Sequence, residues 1–544
     1  FEQAVTHAPE TTRYWQHLSQ ALCVLQHYES ALEAAQKAVS LAPQAAGTHV
    51  QLAAVYIEQQ RPQEALAAYR QAAELEPENS AHYCGAGRSL YALGQFPAAL
   101  AALQEAVRRN PGEVEAYRWM GAVYARQEQI SEALGAYQKA LTLQPEAAIH
   151  HHNLGLLYRQ IHDSDRALAA LQQAIVLDPH DAEAYYVLGQ LHDERSEIEA
   201  ALEDYQYASH LAPTNLSYKQ AFGIALRKTR HAEEAMQVFT AILAQDPENA
   251  ESQWQMGLLL ENQESFKDAW QAYAKAATLK PEEARYQMSA ATALARFGRQ
   301  ALALREAGIP TSHPTATEYS NAISVLRQML AQDQNNAAIH TALGEILTLN
   351  GAHAKAIEHL RRAVEEAPHS ATPHRQLGRT LRIKGDGQQS LRELRIADVL
   401  MPDDSETQYE LALTHQALKQ EEQAAAALTK ATEANPTDAL YHYALSQTLQ
   451  RMGQIQDASA VMSKAIDLKA GIAAWHNALG NILNTQQRNH IAIEQHLRAA
   501  ELEPGNAEYL YNAAVTYIEM ENDKQATPLL EQALQIQPDK PGWW

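Results

Sequence analysis

The chain has 544 residues, too many for one ordinary domain, so several domains or an array of repeats is expected. Its net charge of −22 disfavours nonspecific binding to nucleic acid or to an anionic membrane, because both require clustered Lys and Arg. Ala, Leu, Glu and Gln dominate the composition, which favours helices, and no apolar run is long enough to cross a membrane.

A fixed interval runs through the chain from its first residues. Nine prolines lie 34 residues apart in a series from Pro9 to Pro281. After a gap of 53 residues the same phase resumes at Gln334 and continues, again in steps of 34, to Pro538. Regular spacing over this length indicates internal repeats, which mark stacked supersecondary units.

Each repeat carries the pattern of two helices. In the unit 114–147, Tyr117, Gly121 and Tyr124 recur at the spacing of one helix face, and Ala133 and Tyr137 begin a second periodic segment. The proline at the end of the unit closes the second helix, because proline cannot continue it. The pattern therefore predicts two antiparallel helices per repeat.

The position of Gly121 is occupied by a small residue in all fifteen units, and nine of these residues are glycine. A glycine inside a helix costs about 1 kcal/mol relative to alanine, so a compensating contact is required. We expect the paired helices to approach each other closely at this position.

These residues resemble the tetratricopeptide repeat: an aromatic residue, Leu-Gly, a second aromatic residue, two alanines and a terminal proline. The resemblance covers essentially the whole chain and implies an all-α solenoid, a right-handed superhelix of antiparallel helix pairs. In this family the first helix of each pair lines a concave groove. The fifteen units begin at residues 12, 46, 80, 114, 148, 182, 216, 250, 284, 337, 371, 405, 439, 473 and 507.

Both ends of the chain are out of phase with a complete array. Residues 1–11 match the end of a preceding repeat, and Trp544 falls at the position of Tyr117, as if a further first helix began at 541–544. We therefore interpret the chain as a segment of a longer array, with a native end or an added tail as the alternative. The predicted order is a remnant at 1–11, eight units over 12–283, an expanded ninth unit over 284–336 and six units over 337–540.

The expanded ninth unit contains 19 additional residues around 299–317. Its first helix is expected near 284–297, Ala301–Ala307 begins a second helix, and 318–333 supplies another second helix after two prolines and several turn formers. The insertion is either a tolerated surface loop or a joint or docking loop. The segment 284–404 has a net charge of +2, whereas 182–283 has −9, so the non-acidic zone begins at this insertion.

The sequence contains no catalytic, cofactor-binding or metal-binding motif, and we predict a protein that is not an enzyme. Three consecutive histidines, 150–152, cannot converge on one ion, because neighbouring helical residues point about 100° apart. His151 occupies the bulky packing position of Tyr117, as do His340, His374, His442 and His476. We predict a structural role for these histidines.

The stripe next to the core positions of each first helix faces the concave surface in this family. In one unit it holds three arginines at i, i+4 and i+7, which suit a carboxylate- or phosphate-rich ligand. Alternatively these arginines balance local acids, and Glu345 would pair with Arg379. Elsewhere the stripe combines aromatic rings with amides, which suits an extended peptide but also ordinary half-buried packing. The predicted partner-binding residues are Arg375, Arg379, Arg382, Tyr409, Tyr443, Gln447, Asn477, Asn481, Tyr511, Tyr186 and Trp254.

Two known functions of the family do not match these positions. A chaperone-tail carboxylate clamp requires Lys, Asn and Arg at set places in three consecutive first helices, and no three units supply them. The asparagine ladder of the O-linked N-acetylglucosamine transferases is kept only at Asn153 and Asn512, while Trp119, Val187 and Ala444 depart from it.

We therefore predict a non-catalytic scaffold whose concave groove binds a peptide or an extended segment of a protein partner, with no nucleic acid and no membrane insertion. One alternative is the sensor or recruiting arm of a larger enzyme, a glycosyltransferase, protease or signalling ATPase, with its catalytic domain in the same full-length chain. Another is a periplasmic export scaffold. Two cysteines, Cys23 and Cys84, cannot form a disulfide framework, which fits a cytoplasmic location.

Overall fold

The computed structural model describes residues 1–307 and 311–540. In these ranges the chain forms 31 α-helices and no strand, and the helices divide into two compact units, Phe1–Ile242 and a second unit that begins at Leu243. No helix in the described ranges is long and apolar enough to cross a membrane. The predicted all-α solenoid of paired helices is confirmed.

The first unit contains a short leading helix and seven helix pairs, and its boundary at Ile242 falls within the last helix. Its helices are α1 Glu2–His7, α2 Thr12–Val24, α3 Tyr28–Leu41, α4 Ala46–Glu58, α5 Pro62–Leu75, α6 Ser80–Ala92, α7 Phe96–Arg109, α8 Val114–Arg126, α9 Ile130–Leu143, α10 Ala148–Gln160, α11 Ser164–Leu177, α12 Ala182–Glu194, α13 Ile198–Leu211, α14 Leu216–Lys228 and α15 Ala232–Gln245.

The second unit contains eight helix pairs. Its helices are α16 Ala250–Asn262, α17 Phe266–Leu279, α18 Ala284–Glu306, α19 Ala316–Gln332, α20 Ala337–Leu349, α21 His353–Glu366, α22 Ala371–Lys384, α23 Gly387–Leu400, α24 Ser405–Ala417, α25 Glu421–Ala434, α26 Ala439–Arg451, α27 Ile455–Leu468, α28 Ala473–Thr485, α29 Asn489–Leu502, α30 Ala507–Glu519 and α31 Asp523–Ile536.

Even-numbered helices are the first helices of the pairs, and odd-numbered helices from α3 onwards are the second helices. Several neighbouring first helices contact each other directly, for example α6 and α8, or α22 and α24, whereas no comparable contact joins successive second helices in the described residues. The contacts between helices two apart in the chain are thus made by first helices. We call the surface that the first helices form the inner face.

Glycine in the middle of a first helix makes room for a large side chain from the second helix. A Cβ atom at Gly121 would lie 2.6 Å from Cδ1 of Tyr137, and one at Gly189 would lie 2.7 Å from Cδ1 of Tyr205. Both tyrosines are buried. The predicted close approach is therefore made by a side chain of the second helix packing against the backbone of the first.

The histidines at the position of Tyr117 link each helix pair to the end of the preceding unit. The Nε2 atom of His151 donates to the carbonyl of Pro145 at 3.2 Å, and that of His442 donates to the carbonyl of Pro436 at 3.0 Å. His340, His374 and His476 donate in the same way to the carbonyl six residues earlier. These rings satisfy carbonyl groups of the turns between successive helix pairs.

The expected second helix at Ala301–Ala307 is wrong, because α18 is one continuous helix of 23 residues. In the other units the turn between the two helices contains one residue with positive φ, such as Glu264 at 58° or Gly351 at 78°. The corresponding residue of the ninth unit is Gly298, which lies inside α18. The chain passes through this turn position as helix, and α19 acts as the second helix of the unit.

Gly298 is needed here for space. A Cβ atom at this residue would overlap the hydroxyl group of Tyr319, which comes from α19, and would approach Cδ1 of Leu349 to 3.0 Å. The glycine therefore lets α19 pack against α18 where the turn would otherwise be.

The small-residue contact gives a test of packing within one helix pair. Gly121→Ala places a methyl group against the buried ring of Tyr137, so we expect the free energy of local opening to fall by about 1–3 kcal/mol. Gly135→Ala is the control, because Gly135 is exposed in α9 and no atom lies within 4 Å of its added Cβ. This change should stabilise the pair by about 0.5–1 kcal/mol. Hydrogen exchange of α8 and α9 measures the free energy of local opening in both variants. Equal effects of the two substitutions would contradict the packing of Tyr137 against Gly121.

Candidate binding surface

Four arginines and four carboxylates meet on the inner face of the second unit, and we call them the charged cluster. They come from α18, α20, α22 and α24 and the turn before α24. The members are Arg299, Arg375, Arg379, Arg382, Glu345, Asp404, Glu406 and Glu410.

Helix geometry places the two larger groups of the cluster opposite each other. Arg375, Arg379 and Arg382 lie at i, i+4 and i+7 of α22, so their side chains share one side of that helix. Glu406 and Glu410 lie at i and i+4 of α24, the next first helix. Because neighbouring first helices touch, the arginine side meets the glutamate side directly.

The arginines of α22 are held by ion pairs to the following unit. Arg375 contacts Asp404 through Nη1 at 2.5 Å and Glu406 through Nη2 at 2.9 Å. The Nε atom of Arg379 lies 3.4 Å from Oε1 of Glu410. These pairs connect α22 to α24 across the boundary between two repeats.

A further arginine reaches the cluster from α18. The Nε atom of Arg299 lies 2.7 Å from Oε1 of Glu345, and its Nη1 atom lies 3.3 Å from Oε2 of Glu406. On the other side of the cluster, Arg382 contacts Glu410 at 2.9 Å. The alternative prediction that Glu345 pairs with Arg379 is therefore wrong. Glu345 pairs with Arg299, and Arg379 pairs with Glu410.

The centre of the cluster is buried although every member is charged, and the other five members are half-buried. Arg379 is 9% exposed, and Glu345 and Glu410 are each 8% exposed. Burial alone raises the pKa of Glu410, but Arg382 and Arg379 outweigh it and hold the pKa below its usual value. Arg299 and Arg375 likewise lower the pKa of Glu406 against the effect of burial. Glu406 and Glu410 therefore remain ionised, as their close cationic partners require.

A cavity of about 310 Å³ lies beside the charged cluster. The C-terminal half of α18 forms one wall, and α22, α24 and α26 form the floor. The Nε atoms of Arg375 and Arg379 are buried without a hydrogen-bond partner. Residues that line the cavity include Arg299, Gln300, Ala303, Leu304, Arg375, Arg379, Glu406, Tyr409, Glu410, Leu440, Tyr441 and Lys469.

Three of the predicted partner-binding residues, Arg375, Arg379 and Tyr409, thus line one cavity. Arg382 lies next to it through its contact with Glu410. The ring of Tyr409 packs against Tyr441 with centroids 5.0 Å apart. The structure brings these residues together with partners that the sequence analysis did not select.

The other predicted residues of the second unit follow the inner face along α26, α28 and α30. Tyr443 is half-buried and stacks on Trp475, with centroids 5.2 Å apart and planes 13° apart. Gln447 and Tyr511 are also half-buried. Asn481, which follows the small position of α28, is exposed.

Asn477 has partners within the protein. Its Oδ1 atom accepts hydrogen bonds from Nδ1 of His496 at 2.8 Å and from Nδ2 of Asn512 at 2.9 Å. His496 is fully buried against Gly480, at the position that Tyr137 occupies in its own unit. Asn477 therefore ties the first helix α28 to both α29 and α30.

Tyr186 and Trp254 belong to different units. Tyr186 lies between two rings, Tyr218 at 4.6 Å and Tyr205 at 5.8 Å between centroids. The indole of Trp254 donates to Oγ of Ser289 at 3.0 Å. Both side chains are half-buried and pack against residues of adjacent helices.

Sequence reasoning missed a second aromatic and cationic group, on α6 and α8 of the first unit. Trp119 packs against Tyr91 with centroids 5.3 Å apart, and the guanidinium groups of Arg88 and Arg118 lie 5.6 and 4.5 Å from the Trp119 ring. Arg88 is exposed. The sequence offered one indication of this group, since Trp119 stands where the asparagine ladder would have an asparagine.

Sequence profiles of tetratricopeptide repeats match residues 221–284, 315–379, 405–438, 439–471 and 507–540. The profile described as the C-terminal domain of cilia and flagella-associated protein 70 matches residues 2–221, fewer than half of the chain. Among curated proteins, none matches this chain.

Several solved structures resemble the chain at low sequence identity. The structure of Naa15/Naa10 bound to HypK-THB is 14% identical, with a TM-score of 0.37, and the match covers 98% of this chain and 95% of that one. The hetero-tetramer Cut9-Hcn1 of APC/C is 16% identical, with a TM-score of 0.38 and coverage of 99% and 96%. MamA is 22% identical, with a TM-score of 0.29 and coverage of 30% and 97%.

The burial of Glu410 predicts a large effect from removing its charge. Glu410→Gln leaves Arg379 and Arg382 without their carboxylate, so we expect the free energy of unfolding of the second unit to fall by about 3–5 kcal/mol. Glu365→Gln removes an exposed pair with Arg362 and should cost less than about 1 kcal/mol. Urea unfolding followed by circular dichroism compares the two. Similar small losses would show that the Glu410 pairs contribute little.

The buried imidazole of His496 predicts a pH dependence. Burial lowers its pKa to about 4, from an ordinary value of 6.5. Between these values the unfolded chain binds a proton that the folded chain does not, so stability falls as the pH drops from 6.5 to 4, by up to about 3 kcal/mol.

His496→Leu should remove this dependence. Leucine fits this position, because the equivalent residue of another unit is Leu171, which packs against Gly155 as His496 packs against Gly480. His490→Leu changes an exposed residue of the same helix and is the matched control. Urea midpoints measured from pH 7 to pH 4 test the assignment. If the His496→Leu protein loses stability with acid as steeply as the control, the assignment is wrong.

Proposed function

Because the chain is an array of tetratricopeptide repeats, we propose that it is a non-catalytic scaffold that binds protein partners along the inner face of its helix pairs. The observation that carries this proposal is the cavity of about 310 Å³ on the inner face of the second unit. Its lining combines arginine and tyrosine with apolar side chains, the residue types on which binding energy concentrates at protein interfaces.

The inner face continues from the cavity along α26, α28 and α30 with groups that suit an extended segment. Tyr443 contributes a ring held in place by Trp475, so little conformational entropy is lost when a partner covers it. Asn481 and Gln447 carry amide groups that both donate and accept hydrogen bonds, as a peptide backbone requires. We propose that a peptide or an extended partner segment lies along this line.

Residues with different degrees of burial have different parts in this proposal. Arg375 and Arg379 are committed to ion pairs within the protein, so they fix the shape and charge of the cavity. Asn481 is exposed and makes the direct contact to a partner. Tyr511 extends the contact surface by one repeat.

Site-specific crosslinking tests where a partner binds. A photoreactive phenylalanine analogue replaces Asn481 on the inner face, or exposed Glu494 on the second helix α29 as the control. We expect crosslinks to partner proteins in cells from position 481 and few from position 494. Affinity of an identified partner should then fall about tenfold or more with Asn481→Arg, which fills the face with a large charged side chain.

Equal crosslinking from both positions, or crosslinking only from position 494, would contradict binding along the inner face. Circular dichroism of each variant confirms that the helix pairs are retained, because position 481 is exposed and contributes little to the core.

A further inference from the structure

The helix α18 is longer than the other first helices, and its additional residues have an unusual position. It contains 23 residues, compared with 13 in α20. Its N-terminal part packs against α17 and α20, as a first helix does. The residues after Gly298 instead reach over the inner face of the following repeats, and we call residues 299–306 the extension.

Burial shows that the inner face is covered at this place. The residue that follows the small position is exposed in α6 and α28, where it is Arg88 and Asn481. The equivalent residues Glu345 in α20 and Arg379 in α22 are only 8% and 9% exposed. In α20 the ten consecutive residues from 339 to 348 are all buried, which requires that every side of the helix be covered.

The extension is the segment that covers this face. Arg299 contacts Glu345 and Glu406, which belong to two different repeats. Gln300, Ala303 and Leu304 line the cavity opposite α22, α24 and α26. The chain therefore places a helix of its own where the proposed function places a partner.

The extension is held by the ion pairs of Arg299 and by apolar burial at Ala301, which is 1% exposed. Without α18, the cluster holds three arginines and four carboxylates, and Arg299 supplies the fourth positive charge. A segment that covered Glu345 without supplying a cation would leave a buried carboxylate unpaired, which costs several kcal/mol. Beyond Arg299, Ala301 belongs to the apolar cluster that contains Leu343 of α20, and Ala307, the residue after the extension, to the one that contains Trp475 of α28. The cavity of about 310 Å³ lies between the extension and α22, α24 and α26.

We propose that the inner face of α20, α22 and α24 is a helix-binding site that recognises a single arginine, and that the extension fills it until a partner helix with the same arginine displaces it. This rests on the proposed function, since it names the partner of the same face. The partner is a helical segment with an arginine followed, four and five residues later, by small and apolar residues, as Ala303 and Leu304 follow Arg299.

The charge balance decides between this partner and an acidic one. The three arginines of α22 are already paired with Asp404, Glu406 and Glu410. An acidic ligand that displaced the extension would leave Glu345 unpaired and add a negative charge beside it. A basic helix replaces Arg299 without changing the charge of the buried cluster.

A peptide supplied in trans tests the proposal. The probe is a fluorescein-labelled synthetic peptide of residues 293–307, measured by fluorescence anisotropy with the full chain. The Arg299→Glu variant places a carboxylate next to Glu345 and Glu406, so the extension should leave the face. We expect the peptide to bind this variant at least tenfold more tightly than the unchanged chain.

Two controls make the result specific. Arg305→Glu changes an exposed arginine of the same helix and should leave binding as weak as in the unchanged chain. A peptide with glutamate in place of Arg299 should not bind any chain. Hydrogen exchange should become faster in α20 of the Arg299→Glu variant and return to its original rate when the peptide is added.

Circular dichroism shows whether Arg299→Glu keeps its helices, and Arg299→Gln offers a milder change that removes the charge without adding one. Equal peptide binding to the unchanged chain and to both variants would overturn the proposal, as would no binding to either variant. The crosslinking test uses Asn481, which is exposed and does not line the cavity, so a failure of peptide binding at α20, α22 and α24 can be distinguished from a failure of binding along the inner face.

Discussion

The architecture depends on one contact that recurs in the nine helix pairs with glycine at the small position, where a large side chain from the second helix packs against that glycine of the first. At Gly121 and Gly257 the opposing side chain is a tyrosine, at Gly155 a leucine and at Gly480 a histidine. The backbone of the first helix offers the same surface to all of them. Because the contact lies within one pair and the next pair stacks on its neighbour, the array grows without long-range pairing.

The same regularity determines how much of the fold the sequence could predict. The period of 34 residues located every first helix from α2 to α30, because proline, the small position and the aromatic positions all repeat together. It failed in the ninth unit, where Gly298 has the residue type of a turn and the backbone of a helix. Glycine is compatible with both conformations. Only the position of Tyr319, which comes from a later helix, decides between them, and sequence periodicity contains no information about that contact.

A similar division applies to the candidate binding surface. The spacing of Arg375, Arg379 and Arg382 predicted that they share one side of α22, because helix geometry alone determines this. Their partners on α24 follow the same periodicity and could have been identified from Glu406 and Glu410. Arg299 could not, since it is 107 residues from Glu406 and reaches it only because the turn of the ninth unit is absent. The three arginines of α22 therefore form ion pairs within the protein and are not an exposed basic patch.

A buried cluster of this kind specifies geometry more than it adds stability. Desolvation of its buried members Arg379, Glu345 and Glu410 costs about as much as the attraction between the charges returns, so well-packed apolar residues would hold α22 and α24 together equally well. What the charges add is selectivity, because any segment that covers Glu345 without supplying a cation leaves an unpaired charge in a dry site. The composition agrees with this: the segment 284–404, with a net charge of +2 in a chain of −22, holds all the arginines of the cluster. Basic residues are thus concentrated where a buried carboxylate must be matched.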